Sequence, residues 1–246
     1  MYLILLVFFL HWFLSLFFHT AFLHRYCSHQ MYTMNKTTER IFYFLTWFFQ
    51  GSSFLVPRAY GVMHRMHHEY SDTEKDPHSP HFFRDIFQMM WETKKIYNDF
   101  NTGVRTPETR FSENLPTWKA LDKFGESNIV RLLWVAVYIT FYVLMIQYFE
   151  LSWFWLFLLP IHFLMGPIQG AMVNWFGHKL GYRNYSNGDQ SVNTTPVGLL
   201  LMGELFQNNH HKYPESINFA QKWYEVDFTY PILKLLHWIG IISIKA

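Results

Sequence analysis

Cysteine is nearly absent from this chain of 246 residues, which has one, Cys27. A lone thiol excludes a disulfide framework, a thiolate zinc cage and a cysteine-bound iron–sulfur cluster. Charge is scarce too. Asp, Glu, Lys and Arg make up 15% of the residues, against roughly a quarter in ordinary soluble domains. The formal net charge is +2, and no basic block with interleaved aromatics is present, so nucleic acid is not an expected partner. Internal repeats and low-complexity tracts are also missing.

The missing charge leaves long gaps. Residues 2–23 carry none and match the thickness of a hydrocarbon core of roughly 30 Å. A signal peptide would need a basic start and a small-residue cleavage site. Neither is there, so a retained span is expected. Residues 132–149 and 151–177 form two further runs separated by Glu150, which reads as a helical hairpin. Pro160, Gly166 and Pro167 predict a kink in its second arm. Ile41–Val56 is apolar but interrupted by Gly51, Ser52 and Ser53. If it crossed the membrane, the histidines on its two sides would face opposite compartments, so a buried or interfacial helix is expected.

The expected fold is therefore an all-α integral membrane protein of one domain, 1–246. It has about three spans, a cap from about 57–128 and 178–246, and an interfacial helix within Pro231–Ile244. All 20 Lys and Arg lie in Arg25–Arg131 or Lys179–Lys245, on one side in this scheme, which the positive-inside rule makes cytoplasmic.

Half of the chain is apolar, a fifth aromatic, and 14 residues are histidine. Four polar stations stand at the expected membrane face: HTAFLHRYCSH with His19, His24 and His29; HRMHH with His64, His67 and His68; NWFGH with Asn174 and His178; QNNHH with Gln207, His210 and His211. Positions i, i+3 and i+4 share one face of a helix, so HRMHH can turn three imidazoles into one pocket. His24 and His29 are five apart, about 140° around an ideal helix; they converge only where the helix ends or unwinds, as near Arg25. A zinc ion takes about three or four protein ligands, and the stations offer roughly twice that. Two metals of the imidazole-binding kind follow. His11 and His162 read as hydrogen-bonded packing residues in apolar runs, and His81 and His237 as surface histidines.

The strings HRYCSH, HRMHHEYSDTEKDPHSP, NWFGH and GELFQNNHHKYP, in that order, resemble the membrane fatty acid desaturases of the stearoyl-CoA desaturase type. The resemblance implies iron as the metal, two Fe2+ ions, with His24, His29, His64, His67, His68, His178, His210 and His211 as ligands. It selects His24 and His29 over His19, and implies that Asn174 acts through a water. It further implies a fatty acyl substrate on CoA or another carrier, O2, and a separate electron donor such as ferredoxin or cytochrome b5. Asp76 and His78 would shape the cap near the site. Two features depart from the pattern. Gln207 stands where a histidine is usual, and would ligate iron or order a water. One span, not a helical pair, precedes the first box. Candidate partners for the imidazole N–H groups are Glu69, Asp72, Glu74, Asp76 and Glu204. Rival expectations are a membrane di-iron lipid or alkane hydroxylase, and a metal transporter or haem-binding membrane protein.

Overall fold

The computed structural model describes residues 1–245, so Ala246, the last residue of the expected cap, lies outside the described residues. The first apolar run forms helix α1, Tyr2–Phe18, and does not stop where the charge begins. It passes directly into a π-helical segment, His19–Ser28. Together they make a continuous helix of 27 residues, long and apolar enough to cross a membrane. The expected unwinding at Arg25 is thus replaced by rewinding: the helix widens to i→i+5 bonding, a form rare beyond a single turn and often found at functional sites.

Helix α2, Lys36–Gln50, starts on an Asn35 side-chain cap to the Thr38 N–H. At 15 residues it is about 22 Å long. It ends at Gly51, which adopts a left-handed φ of 54° and lies so close to Tyr138 that a Cβ there would collide with the phenol. A short 3-10 turn, Gly51–Ser53, leads to α3, Pro57–Tyr70, with proline at its start where no N–H is needed. The cap continues with α4, Ile86–Thr102, and the short helices α5, Thr109–Ser112, and α6, Lys119–Gly125.

Helix α7, Asn128–Tyr148, is the second helix able to span. The third expected span is not one kinked helix. A 3-10 stretch, Trp153–Leu158, leads to α8, Leu159–Phe163, and the chain then bends by 67° into α9, Met165–Phe176. Among the described residues, two helices are long and apolar enough to cross a membrane, or three if the bent pair counts as one span. The bend frees backbone groups that hydrocarbon cannot satisfy. The interruption after α2 supplies the partners: Ser52 Oγ donates to Phe163 O at 3.0 Å, and Ser53 Oγ accepts the Gly166 N–H at 3.0 Å. The polar break that disqualified Ile41–Val56 as a simple span stabilises the break in the later one.

Irregular chain then carries α10, Gln207–Lys212, and α11, Thr229–Trp238. The expected interfacial helix is shorter than its apolar run, because Ser243–Ile244 (β2) pairs antiparallel with Tyr32–Thr33 (β1) just beyond His29. The main core lies where the π segment, α2, α3 and α4 meet, around Phe22, Tyr43, Phe54 and Val62, all fully buried. It holds the π segment against α3, and so fixes the first two histidine stations relative to each other.

Candidate metal centre

Widening the helix is what aligns the first station. In the π segment residues five apart lie one above the other, and His29 N–H donates to His24 O at 3.2 Å. Their rings come within 5.1 Å. His19 continues the series one turn deeper, but faces Gln50 and the edge of Tyr60.

Eight histidines, all named in the sequence, converge at this point and divide into two groups. Nitrogens of His24, His29, His64, His68 and His210 lie within 4.8 Å of one another, as do those of His67, His178 and His211. The HRMHH station therefore does not fill one pocket. His64 and His68, one turn apart on α3, face the first group, and His67 faces the second. His210 and His211 separate in the same way, so α3 and α10 each serve both groups.

Carboxylates fix the ring orientations. Nδ1–H groups donate from His24 to Glu204 at 2.5 Å, from His67 to Asp76 at 2.9 Å, from His178 to Asp72 at 2.9 Å and from His211 to Asp189 at 2.6 Å. Burial opposes ionisation of Asp72 and Glu204, but bonding to His178 and His24 brings both to about 2. Asp76 and Asp189 are held well below the usual carboxylate range in the same way. Glu69 and Glu74 do not take part: Glu69 pairs with Arg110 at 2.6 Å on the surface, and Glu74 is exposed. Asp189 is the partner that sequence reasoning missed. It lies 22 residues before His211 in an irregular stretch, where no helical spacing points to it.

With Nδ1–H committed to a carboxylate, Nε2 of a neutral ring is a bare lone pair. His67 and His211 face each other Nε2 to Nε2 at 3.2 Å; with both rings neutral these are two acceptors. The third ring, His178, has a buried Nε2 without any hydrogen-bond partner among the described residues. Three lone pairs converging in a dry pocket need a cation. The first group repeats the pattern: His24 Nε2 meets His210 Nε2 at 2.9 Å, while His68 Nε2 and His210 Nδ1 are buried and unpaired. Burial drives His29, His64, His68 and His210 well below the ordinary histidine value, and His211 to about 4. Neutral imidazole is the form that ligates metal, and the donor set fits metal at both groups.

Asn174 sits on α9 one turn before His178, half-buried. Gln207 opens α10; its Nε2 donates to Glu204 O at 2.7 Å, which leaves Oε1 without a protein partner among the described residues. Gly177 admits it: a Cβ there would overlap the Gln207 side chain. Asp76 and His78 lie beside the second group as expected, with the His78 ring 4.4 Å from that of His67. His81 is not a free surface residue; its Nε2 bonds to the His178 carbonyl at 3.0 Å. His237 is exposed, as expected. Arg25, fully buried, bridges to Asp227 at 2.7 Å and reaches Glu204 at 3.6 Å, with Phe219 under its guanidinium. It anchors the carboxylate that orients His24. His11 and His162 are hydrogen-bonded within the helix packing: their Nδ1 atoms are 2.7 Å apart, His11 Nε2 bonds to the Phe49 carbonyl at 2.9 Å, and His162 Nε2 to Tyr142 OH at 2.9 Å.

A family model described as fatty acid desaturase matches residues 1–236. Among curated proteins, the chain is 28% identical over 231 residues to an sn-1 stearoyl-lipid 9-desaturase of Synechocystis sp., covering 89% of this chain and 64% of that one. It is 28% identical over 227 residues to an sn-1 stearoyl-lipid 9-desaturase of Anabaena variabilis, with 89% and 74% covered. It is 27% identical over 230 residues to an acyl-CoA C20 Delta5-desaturase of Anemone leveillei, with 89% and 65% covered. The chain thus spans about two thirds of the length of curated relatives it matches.

Proposed function

Since the chain belongs to the fatty acid desaturase family, we propose that it is an oxygen-dependent di-iron enzyme that inserts a double bond into a fatty acyl chain. The observation that carries the reading is the pair of imidazole groups, five and three, whose ring nitrogens lie within 4.8 Å of one another in each group, with His68 Nε2, His178 Nε2 and His210 Nδ1 buried and unpartnered. In this reading His24, His29, His64, His68 and His210 hold one iron, and His67, His178 and His211 hold the other. When bound, the two ions supply the oxidising power for removing hydrogen from two neighbouring methylenes, with O2 as oxidant.

The chain's own residues have three tasks. Glu204, Asp76, Asp72 and Asp189 keep the Nδ1 protons of their histidines and so present Nε2 inward. These carboxylates carry four negative charges, matching two divalent cations in a pocket that water does not screen. Gln207 Oε1 and Asn174 complete the coordination of the second ion, directly or through a water. The apolar packing of α1, α2 and α9 keeps bulk water from the reacting carbons. The charge asymmetry of the sequence supports a cytoplasmic site, with the acyl head group, on CoA or another carrier, at the cap and a separate protein as electron source.

Expression in a host unable to make unsaturated fat, followed by fatty acid profiling and metal analysis, tests the reading. New monounsaturated chains and two irons per protein are expected, and both are lost on His67→Ala or His211→Ala. A hydroxylated product, or haem in place of iron, overturns it.

A further inference from the structure

The chain between the third and fourth stations has an apolar tip that the metal centre does not use. Residues 190–203 carry no charge, and their end, TPVGLLLMG, folds into turns and not into a helix. Val197, Leu199 and Leu200 are 51%, 51% and 52% exposed. Half-exposed Val226 joins them, because Gly198 N–H donates to Val226 O at 3.0 Å and Val226 N–H to Pro196 O at 3.1 Å. Apolar side chains gathered on one surface in this way mark a place of interaction.

Irregular backbone tolerates lipid only where its polar groups are satisfied from within the protein. Here every carbonyl of residues 196–203 accepts a hydrogen bond from a protein donor. Gly198 O takes the Gly203 N–H at 2.8 Å, and Met202 O takes the Thr229 hydroxyl at 2.8 Å. Leu200 O accepts from the Trp12 indole at 3.0 Å, which fixes the loop against α1. Trp12 lies twelve residues before His24 on that continuous helix, roughly 18 Å along its axis. The N–H groups of Leu199, Leu200 and Leu201 have no protein acceptor among the described residues, as in the first turn of a helix. Ester oxygens at the edge of the acyl layer are the acceptors that a membrane offers them.

What covers the tip follows from what it adjoins. An apolar groove of about 420 Å³ is walled by Leu6, Phe9 and Leu10 of α1, by Met202 of the loop and by Ile232 of α11. Leu6, Phe9 and Leu10 are exposed, on a helix long and apolar enough to cross a membrane. The loop therefore continues the outward face of α1, through a groove without a charged side chain. We propose that residues 196–203 form a membrane-embedded knob, whose Val197, Leu199 and Leu200 side chains sink into the acyl layer of the leaflet nearer the metal centre. The proposal needs α1 to lie in a bilayer and is independent of the chemistry at the metal centre. Glu204, the next residue, accepts from His24 Nδ1, so the knob ties the first imidazole group to the membrane.

The test uses the full chain in phosphatidylcholine nanodiscs, one copy per disc, with a nitroxide on a single introduced cysteine; the native Cys27 is buried. The probes are O2, which concentrates among acyl chains, and a water-soluble nickel chelate. In Leu199→Cys and Leu200→Cys the nitroxide is expected to be relaxed more by O2 than by the chelate. At Ser186→Cys, an exposed position of the cap, the order is expected to reverse. All three positions are exposed, so the label replaces no core contact. Chelate access at Leu199 and Leu200 equal to that at Ser186 overturns the knob. So does shielding from both probes at both positions, which would mean that protein covers the tip, or shielding that appears only with two copies per disc, which would give the tip to a second copy of the chain.

Discussion

Removing one charge at Asp189 should separate the two imidazole groups. Asp189 Oδ2 accepts from His211 Nδ1 at 2.6 Å, while its other oxygen is fixed by the N–H and Oγ of Ser191. Asp189→Asn keeps shape and volume but takes away the anion that holds His211 with Nε2 inward. A charge-assisted hydrogen bond contributes about 1.5–3 kcal/mol, which converts to roughly 10–150-fold in affinity at 1.4 kcal/mol per decade; orienting partners of metal-bound histidines typically contribute 10–100-fold. The loss falls on the second ion alone, because none of the five rings of the first group touches Asp189. Glu204→Gln is the mirror experiment, since Glu204 orients His24 in the first group. The assay is a chelator titration of the purified protein with element analysis of retained metal. Parent protein should lose its ions in two steps, Asp189→Asn should shift only one to lower chelator, and Glu204→Gln only the other. Joint loss of both ions in both variants, or no shift in either, refutes the division into independent groups.

Four further outcomes are expected. Gly177→Ala puts a methyl against Gln207 and should cost about 1–3 kcal/mol by overpacking, read as a lower Tm in detergent with reduced metal retention. Ser53→Ala orphans the Gly166 N–H at the bend before α9 and should cost about 1–3 kcal/mol; an unchanged Tm would mean the bend needs no partner. Gln207→His adds an imidazole and should slow loss of the second ion to chelator; identical retention would show that residue 207 does not bind. In metal-free protein, His29, His64, His68, His210 and His211 have folded values below the ordinary 6.5. The unfolded chain then binds more protons as pH falls through 6.5. Stability should drop by up to about 1.4 kcal/mol per pH unit for each ring, against one opposing ring, His67, whose value is raised by its acidic neighbours despite burial. A Tm that rises between pH 7 and 5.5 refutes it.

What could be read from the sequence follows from how local each constraint is. HRMHH sits on a helix because its i, i+3, i+4 spacing belongs to one, and the structure keeps it there in α3. Its division between two groups was hidden, because spacing gives a face and not a target. The π segment left one trace, the five-residue period of His19, His24 and His29, which an ideal α-helix cannot align but i→i+5 bonding does. Asp72, Asp76 and Glu204 stood near histidines in the chain and could be nominated; Asp189 reaches His211 only through tertiary folding. The bend before α9 was announced by Pro160, Gly166 and Pro167. Its partners, Ser52 and Ser53, lie 111 and 113 residues away, and a contact at that separation leaves no periodic mark.

The two groups differ in a way that bears on their roles. Three imidazoles of the second group each carry a carboxylate at Nδ1, from Asp76, Asp72 and Asp189; of the five in the first, only His24 does. A carboxylate makes the ring it holds a stronger donor, so fewer ligands with more anionic support face more ligands with less. The arrangement evens the donor strength at the two positions while leaving the three-imidazole position with fewer protein ligands, which the proposed coordination by Asn174 and Gln207 would make up. If the first position has more protein ligands and the second more room, exchangeable water should concentrate at the second. Gln207 is then the residue whose side chain limits that room, and Gly177, which has no Cβ to oppose it, is what lets it sit there.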